Sequence, residues 1–252
     1  MIIAVVNQKG GVGKTTTCVA LAYNLARSGR RVLVVDMDPQ ANTTSTFGLS
    51  PDDAMAGSST FAYFATRGPL EPRETASGVH LIPSHIGLAH TERSLYAEVA
   101  REQRLAQGLR PLAASYDVVL IDCPPSLGIL TYNALAACDT VLAPIQVEPY
   151  AMDGVSMLLD TVHDVRAFGL NDRCELGGAV LTMVDRRRNV DARIADTIRD
   201  ALHEKVFRTI IPRDVRLVEM AENGALTLLD GDSQGAVAYR ELTKEVMTRW
   251  SL

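Results

Sequence analysis

No window of the chain approaches the roughly 18 uninterrupted apolar residues of a membrane-crossing helix, so no segment reads as a span. A charged leader is missing too. Met1-Ile2-Ile3 runs directly into apolar sequence, and a cytoplasmic protein is expected. There are only four cysteines, at 18, 123, 138 and 174, with no C-x-x-C pair and no zinc-like spacing. That excludes a disulfide framework and a cysteine-built metal centre, and predicts reduced, mostly buried thiols. No Pro/Gly/Ser-rich linker, low-complexity run or internal repeat divides the 252 residues, so one domain over 1–252 is expected, and the 47% apolar share suits an ordinary packed core. The formal charge of −5 by itself argues against nucleic-acid binding. Its distribution is uneven: between Leu181 and Arg216 nine Lys/Arg face six Asp/Glu, a local +3 on a body of −8. A basic face on an acidic body predicts weak, salt-sensitive contact with a polyanion.

The most informative stretch is Lys9-Gly10-Gly11-Val12-Gly13-Lys14-Thr15-Thr16. Met1 to Val6 before it reads as a buried strand, and Thr17 to Ser28 after it as a helix, which is the setting a phosphate-binding loop needs. Glycines at 10, 11 and 13 let the backbone curl so that successive N–H groups face a phosphate, and the helix N-terminus adds its positive end. Lys14 would reach the β- and γ-phosphates, and the Thr15 hydroxyl would bind Mg²⁺. Lys9 is surplus to such a loop. A second cation five residues earlier implies another phosphate contact, in the same site or across a dimer interface.

Apolar strands alternate with helical stretches along the rest of the chain, as in parallel β-α-β units. Strands are predicted at Arg31–Val35, Val79–Pro83, Tyr116–Ile121, Thr140–Ile145, Gly177–Met183 and Val206–Ile211. Helices are predicted at Phe61–Thr66, at Leu88–Ala114 as one amphipathic element, at Ala151–Phe168, around the Val190, Ile194, Ile198, Leu202 stripe, and from about Gly235 to Trp250. Ala41 to Thr60, rich in Thr, Ser, Asn, Asp and Gly, is expected to be loop. The fold class is therefore α/β, a single P-loop NTPase domain with a mostly parallel twisted sheet and helices on both faces. In such sheets ligands bind beyond the carboxyl ends of the strands.

Three candidate groups fall at such ends. Asp122 follows the strand from Tyr116 and would hold a metal through its water shell. Asp38 follows the strand from Arg31 and can orient or accept a proton from an attacking water. Asp36 is expected to hold the loop by hydrogen bonding. Thr15, Asp38 and Asp122 form the candidate metal set, with Lys9, Lys14, Asp38 and Asp122 the candidate catalytic groups.

These motifs, with Val35-Asp36-Met37-Asp38-Pro39-Gln40, Asp117 to Pro125 and Ile211-Pro212-Arg213-Asp214-Val215-Arg216, resemble the deviant Walker A ATPases, and within them the ParA/Soj partition ATPases, over essentially the whole chain. The resemblance implies that Lys9 reaches the partner subunit's ATP, so that two chains sandwich two nucleotides. It places the backbone of Pro212, Arg213 and Asp214 around the adenine, making the nucleotide ATP with Mg²⁺; spacing alone does not separate ATP from GTP, although the Asn-Lys-x-Asp guanine signature is absent. It also puts an acidic residue at Asp153 near the partner's signature lysine. Non-specific double-stranded DNA would be bound by Arg187 and Arg216, with Arg186 and Arg188 reinforcing the field, and a ParB-type centromere-binding protein would trigger slow hydrolysis on the nucleoid. The chain departs from the family at Glu219 to Gly224, where an Ala-Pro-Ser run is usual. The alternatives are a ParA-like positioner of another cellular cargo and a MinD-like membrane-positioning ATPase; the latter needs a basic amphipathic tail, whereas Lys244 to Leu252 is short and mixed in charge, so no membrane contact is expected.

Overall fold

The computed structural model describes residues 1–50, 58–185 and 187–252. The part of the expected Ala41–Thr60 loop that spans 51–57, and the candidate DNA contact Arg186, lie outside them. Among the described residues eight strands form a single sheet in the order β3-β4-β2-β5-β1-β6-β7-β8. They are β1 (Ile2–Val5), β2 (Val32–Asp36), β3 (Arg73–Glu74), β4 (His80–Ile82), β5 (Val118–Asp122), β6 (Thr140–Gln146), β7 (Leu176–Val184) and β8 (Val206–Pro212). All neighbours are parallel except the two-residue edge strand β3.

Strand alternation sends side chains to two separate cores. Ile3 and Val5 of β1, Val32 and Val34 of β2, and Val118 and Leu120 of β5 face one core. Ile2 and Ala4, Leu33 and Val35, and Val119 and Ile121 face the other. The first core is closed by helix α1 (Lys14–Arg27) and the C-terminal helix α10 (Gln234–Trp250). The second is closed by α4 (Leu88–Leu95), α5 (Arg104–Ala113), α6 (Ile129–Ala137), α7 (Ala151–Ala167) and α8 (Asn189–Leu202). Both faces are covered, so the central strands are apolar throughout, and each fully buried Val, Leu or Ile contributes about 1.5–3 kcal/mol.

Two expectations are corrected. The predicted helix over Leu88–Ala114 is broken between α4 and α5: Ala100 takes a left-handed φ of 53°, and Arg101–Gln103 forms a 3-10 turn. Asn133 of α6 holds the break, donating to the Arg101 carbonyl at 2.8 Å and accepting from the Leu105 amide at 3.0 Å. The expected loop after Gln40 instead contains a short helix, α2 (Asn42–Thr46). Its threonines have poor helix propensity, but their hydroxyls meet buried carboxylates, so tertiary contact outweighs local preference. Of the remaining helices, α3 (Thr60–Thr66) agrees with expectation and α9 (Val215–Asn223) was not anticipated.

Candidate nucleotide-binding site

The phosphate loop leaves β1 beside the strand-order switch, where β1 lies between β5 and β6. Asn7 secures its entrance, donating to the Pro144 carbonyl at 2.7 Å and accepting from the Lys9 amide at 3.0 Å. Thr182 of β7 secures its far side with a hydroxyl donated to the Val12 carbonyl at 2.8 Å. Gly11 and Gly13 have φ of 74° and 91°, a region that penalises any side chain. Gly13 ends the loop as the N-cap of α1, and no side chain caps that helix. Its first N–H groups are therefore free for an anion.

Lys14 opens α1 and is buried, its ammonium donating to the Lys9 carbonyl at 2.9 Å. Burial pulls its pKa down, while Asp122, Cys123 and Asp38 pull it back up. Lys9 points the other way. Its side chain is about half exposed and is ion-paired with Glu148, which follows β6. Within the chain, Glu148 is thus the carboxylate that meets Lys9.

Asp36 and Asp122 are register partners at the carboxyl ends of β2 and β5, both with no solvent exposure. Asp36 accepts from the Asp38 amide at 3.1 Å and from the amide and hydroxyl of Thr44 at 2.9 and 2.6 Å. Burial and then the neighbouring Asp122 raise its pKa well above the carboxylate range. Its expected role as a loop fastener agrees with this geometry. Asp122 Oδ2 accepts from the hydroxyls of Thr15 at 2.8 Å and Thr43 at 2.6 Å, while its buried Oδ1 has no hydrogen-bond partner. Burial, opposed by those two hydroxyls, pushes the Asp122 pKa up to about 6. Asp38 is nearly buried and caps the turn after β2, accepting from the Gln40 amide at 2.9 Å.

This donor set fits Mg²⁺. A hydroxyl that gives its proton to Asp122 keeps lone pairs for a metal, and the bare Oδ1 offers a hard oxygen to a hydrated cation. Among the described residues no group of three or more His, Cys, Asp or Glu is placed to hold a metal by itself. Mg²⁺ bound with substrate phosphates and waters needs no such cage.

Beside the loop, a cavity of about 430 Å³ joins Gly13 and Thr16 to Pro212, Arg213, Asp214 and Leu217. The structure therefore brings the predicted adenine segment against the predicted phosphate loop. Asp214 acts there through its side chain as a tie: it caps α9 by accepting from the Arg216 amide at 2.9 Å and holds the start of α10 through the Gly235 amide at 2.6 Å. Next to it lies a larger cleft, of about 1000 Å³, into which Arg187, Arg199, Arg208 and Arg213 project beside Asp185, Asp232 and Glu241. Three of the candidate DNA contacts carry intrachain partners: Arg187 with Asp185 at 3.1 Å, Arg188 with Asp191 at 3.6 Å and Arg216 with Glu219 at 3.0 Å. The unusual Glu219 thus neutralises one of the arginines it accompanies. All four cysteines are buried and free, as expected. Among the described residues no helix is long and apolar enough to cross a membrane.

Sequence reasoning missed Thr43, Thr44, Thr182, Asn7 and Glu148. The one available signal was the Asn-Thr-Thr-Ser-Thr run just after Asp38-Pro39-Gln40, whose hydroxyls were read as loop composition rather than as ligands for buried acids.

Comparison with known proteins agrees with this geometry. Residues 1–176 match a family described as "AAA domain". The sporulation initiation inhibitor protein Soj of Bacillus subtilis is 43% identical over 97% of this chain and 97% of its own length. The chromosome-partitioning ATPase Soj of Thermus thermophilus is 44% identical over 98% of this chain and 95% of its own. Among solved structures, a cobyrinic acid a,c-diamide synthase from Mycobacterium smegmatis, with bound ADP and magnesium, superposes with a TM-score of 0.85 at 35% identity. It covers 99% of this chain and 95% of that one. A McdA–ATP complex from Cyanothece shares the fold at a TM-score of 0.87 and 20% identity. With such identity maintained along nearly its whole length, and a phosphate loop joined to paired strand-end carboxylates, the chain belongs to the ParA/Soj family of partition ATPases.

Proposed function

We propose that this chain is a DNA-partition ATPase in which Mg-ATP drives a nucleotide-sandwich homodimer, the dimer holds double-stranded DNA without sequence preference, and a ParB-type partner stimulates hydrolysis to reset it. The observation that carries the reading is the division of labour between the two loop lysines. Lys14 is buried in its own pocket, whereas Lys9 stands at the loop mouth, half exposed and held by a surface ion pair. A cation so placed is available to a second subunit's triphosphate.

In this reading the amides of residues 10 to 16 and the Lys14 ammonium hold the β- and γ-phosphates, and the adenine enters the cavity walled by Pro212, Arg213 and Asp214. Thr15 and Asp122, with Asp38 nearby, would hold Mg²⁺, which when bound neutralises charge on the phosphate oxygens. Asp38 orients the attacking water, and Lys9 from the partner adds a further positive charge to the γ-phosphate. Dimerisation doubles the number of arginines offered, Arg186 to Arg188 and Arg216 included. Each phosphate they neutralise releases a counterion, so DNA affinity rises with dimer formation. The protein would then reside on the nucleoid, with the cargo chosen by the partner.

Size-exclusion chromatography with and without Mg-ATP, followed by DNA mobility shifts at two salt concentrations, tests the scheme. The expected result is an ATP-dependent dimer whose DNA affinity falls steeply with salt. A protein that stays monomeric with ATP, or that binds DNA equally without it, sinks the reading.

A further inference from the structure

We propose that Thr43 is a positioning residue: its hydroxyl fixes the metal-facing carboxylate of Asp122 and links it to the loop that carries Asp38. The inference rests on the reading of Asp122 as the group that faces Mg²⁺.

Asp122 uses its two oxygens unequally. Oδ2 takes two hydroxyl donors, Thr15 and Thr43, and the buried Oδ1 takes none. A carboxylate held twice through one oxygen cannot rotate without losing both bonds, so the other oxygen, buried and unpartnered, is held in one fixed direction. Thr15 has a second use in the proposed site, because its hydroxyl oxygen keeps lone pairs that would serve Mg²⁺. Thr43 has none, is itself fully buried, and makes the shorter of the two bonds. Its bond therefore acts through Asp122 rather than on the nucleotide.

The same residue joins two parts of the site. Thr43 and Thr44 are consecutive on α2. Thr44 binds Asp36 through both its amide and its hydroxyl, and Asp36 in turn accepts from the Asp38 amide. Since Asp36 and Asp122 are register partners on adjacent strands, the bonds form a closed ring: Asp122, Thr43, Thr44, Asp36 and back across the sheet, with Asp38 attached. The position of the metal-facing carboxylate and that of the water-orienting carboxylate are thereby set by one five-residue helix. At its other end α2 touches α9, through the Thr46 hydroxyl and the Ala221 carbonyl at 3.4 Å, and α9 lines the adenine cavity.

The test compares Thr43→Ala with Thr43→Ser, reading the binding of a fluorescent ATP analogue first in EDTA and then across a Mg²⁺ titration, with hydrolysis measured alongside. Loss of an outer-shell hydroxyl characteristically costs about 10- to 100-fold in metal affinity or activity. Thr43→Ala is therefore expected to raise the half-saturating Mg²⁺ by that factor, leave binding in EDTA unchanged and lower kcat, and Thr43→Ser to match the wild type in all three. Thr43→Val, which keeps the shape and drops only the hydroxyl, replaces Thr43→Ala if the latter does not fold. A wild-type Mg²⁺ midpoint in the hydroxyl-free variant, or a Thr43→Ser variant as impaired as Thr43→Ala, overturns the proposal. Asp122→Asn separates the two levels. If it shifts the Mg²⁺ midpoint while Thr43→Ala does not, only the role of Thr43 is lost; if it fails to shift the midpoint, the metal-facing reading of Asp122 falls and this inference with it.

Discussion

Lys9 and Glu148 form an ion pair across the mouth of the phosphate loop, joining the loop to the segment that follows β6. The Lys9 side chain is about half exposed, and exposed pairs are worth at most about 1 kcal/mol, so a triphosphate from a second subunit can displace Glu148. Lys9→Ala should bind ATP yet stay monomeric. Glu148→Gln should lower the ATP concentration for half-maximal dimerisation by roughly five-fold or less, the equivalent of that pair energy. Light scattering across an ATP titration reads both, and a Lys9→Ala variant that dimerises normally would remove the sandwich arrangement.

Lys14 is a buried cation whose principal bond is to a backbone carbonyl of its own loop. Charge-assisted bonds contribute about 1.5–3 kcal/mol, so Lys14→Ala should weaken ATP binding by roughly 10- to 100-fold. The nucleotide-free protein should change in stability by less than about 1 kcal/mol, because the lost bond is offset by relief of a buried charge. Calorimetric ATP titration and urea unfolding of the same preparation separate the two effects.

Asp122 gives the nucleotide-free protein a pH dependence of known sign. Its folded pKa of about 6 lies above the ordinary carboxylate value, so it binds a proton more tightly folded than unfolded. Its cost to stability is absent below about pH 4, grows as pH rises, and is complete above about pH 6 at roughly 3 kcal/mol. In EDTA, the unfolding free energy of the wild type minus that of Asp122→Asn should therefore fall between those limits and then level off. A difference that is flat, or that rises with pH, contradicts the buried-carboxylate account.

Arg216 and Glu219 lie one helical turn apart and are ion-paired at 3.0 Å. Arg187→Glu and Arg216→Glu should bind ATP and dimerise but lose DNA. Glu219→Gln should raise DNA affinity, and because log affinity changes by about 0.9 per phosphate contact for each log unit of salt, a dimer gaining two contacts should steepen the slope by about 1.8. Filter binding over a salt series measures it. A slope unchanged by Glu219→Gln would show that Arg216 does not reach the DNA.

Some of this was legible along the chain because it is local. The loop from Lys9 to Thr16 carries its own glycines, and the strands β1, β2 and β5 announce themselves as apolar runs, the latter two ending in aspartates. The break in the predicted Leu88–Ala114 helix was not, since the amide that stabilises it belongs to Asn133, which is distant in sequence. For the same reason α2 read as loop: what makes Asn42–Thr46 helical is not its composition but two carboxylates at the ends of other strands.

The sequence by itself determined the alternation of strand and helix, the phosphate loop and the identity of its lysines, because these depend on spacing within a few residues. Only the tertiary structure decided which carboxylate oxygen is held and which is bare, and that Glu148 meets Lys9. Those outcomes depend on register between strands and on burial, which lowers the local dielectric and makes each buried hydroxyl and carboxylate answer to whatever the fold brings beside it.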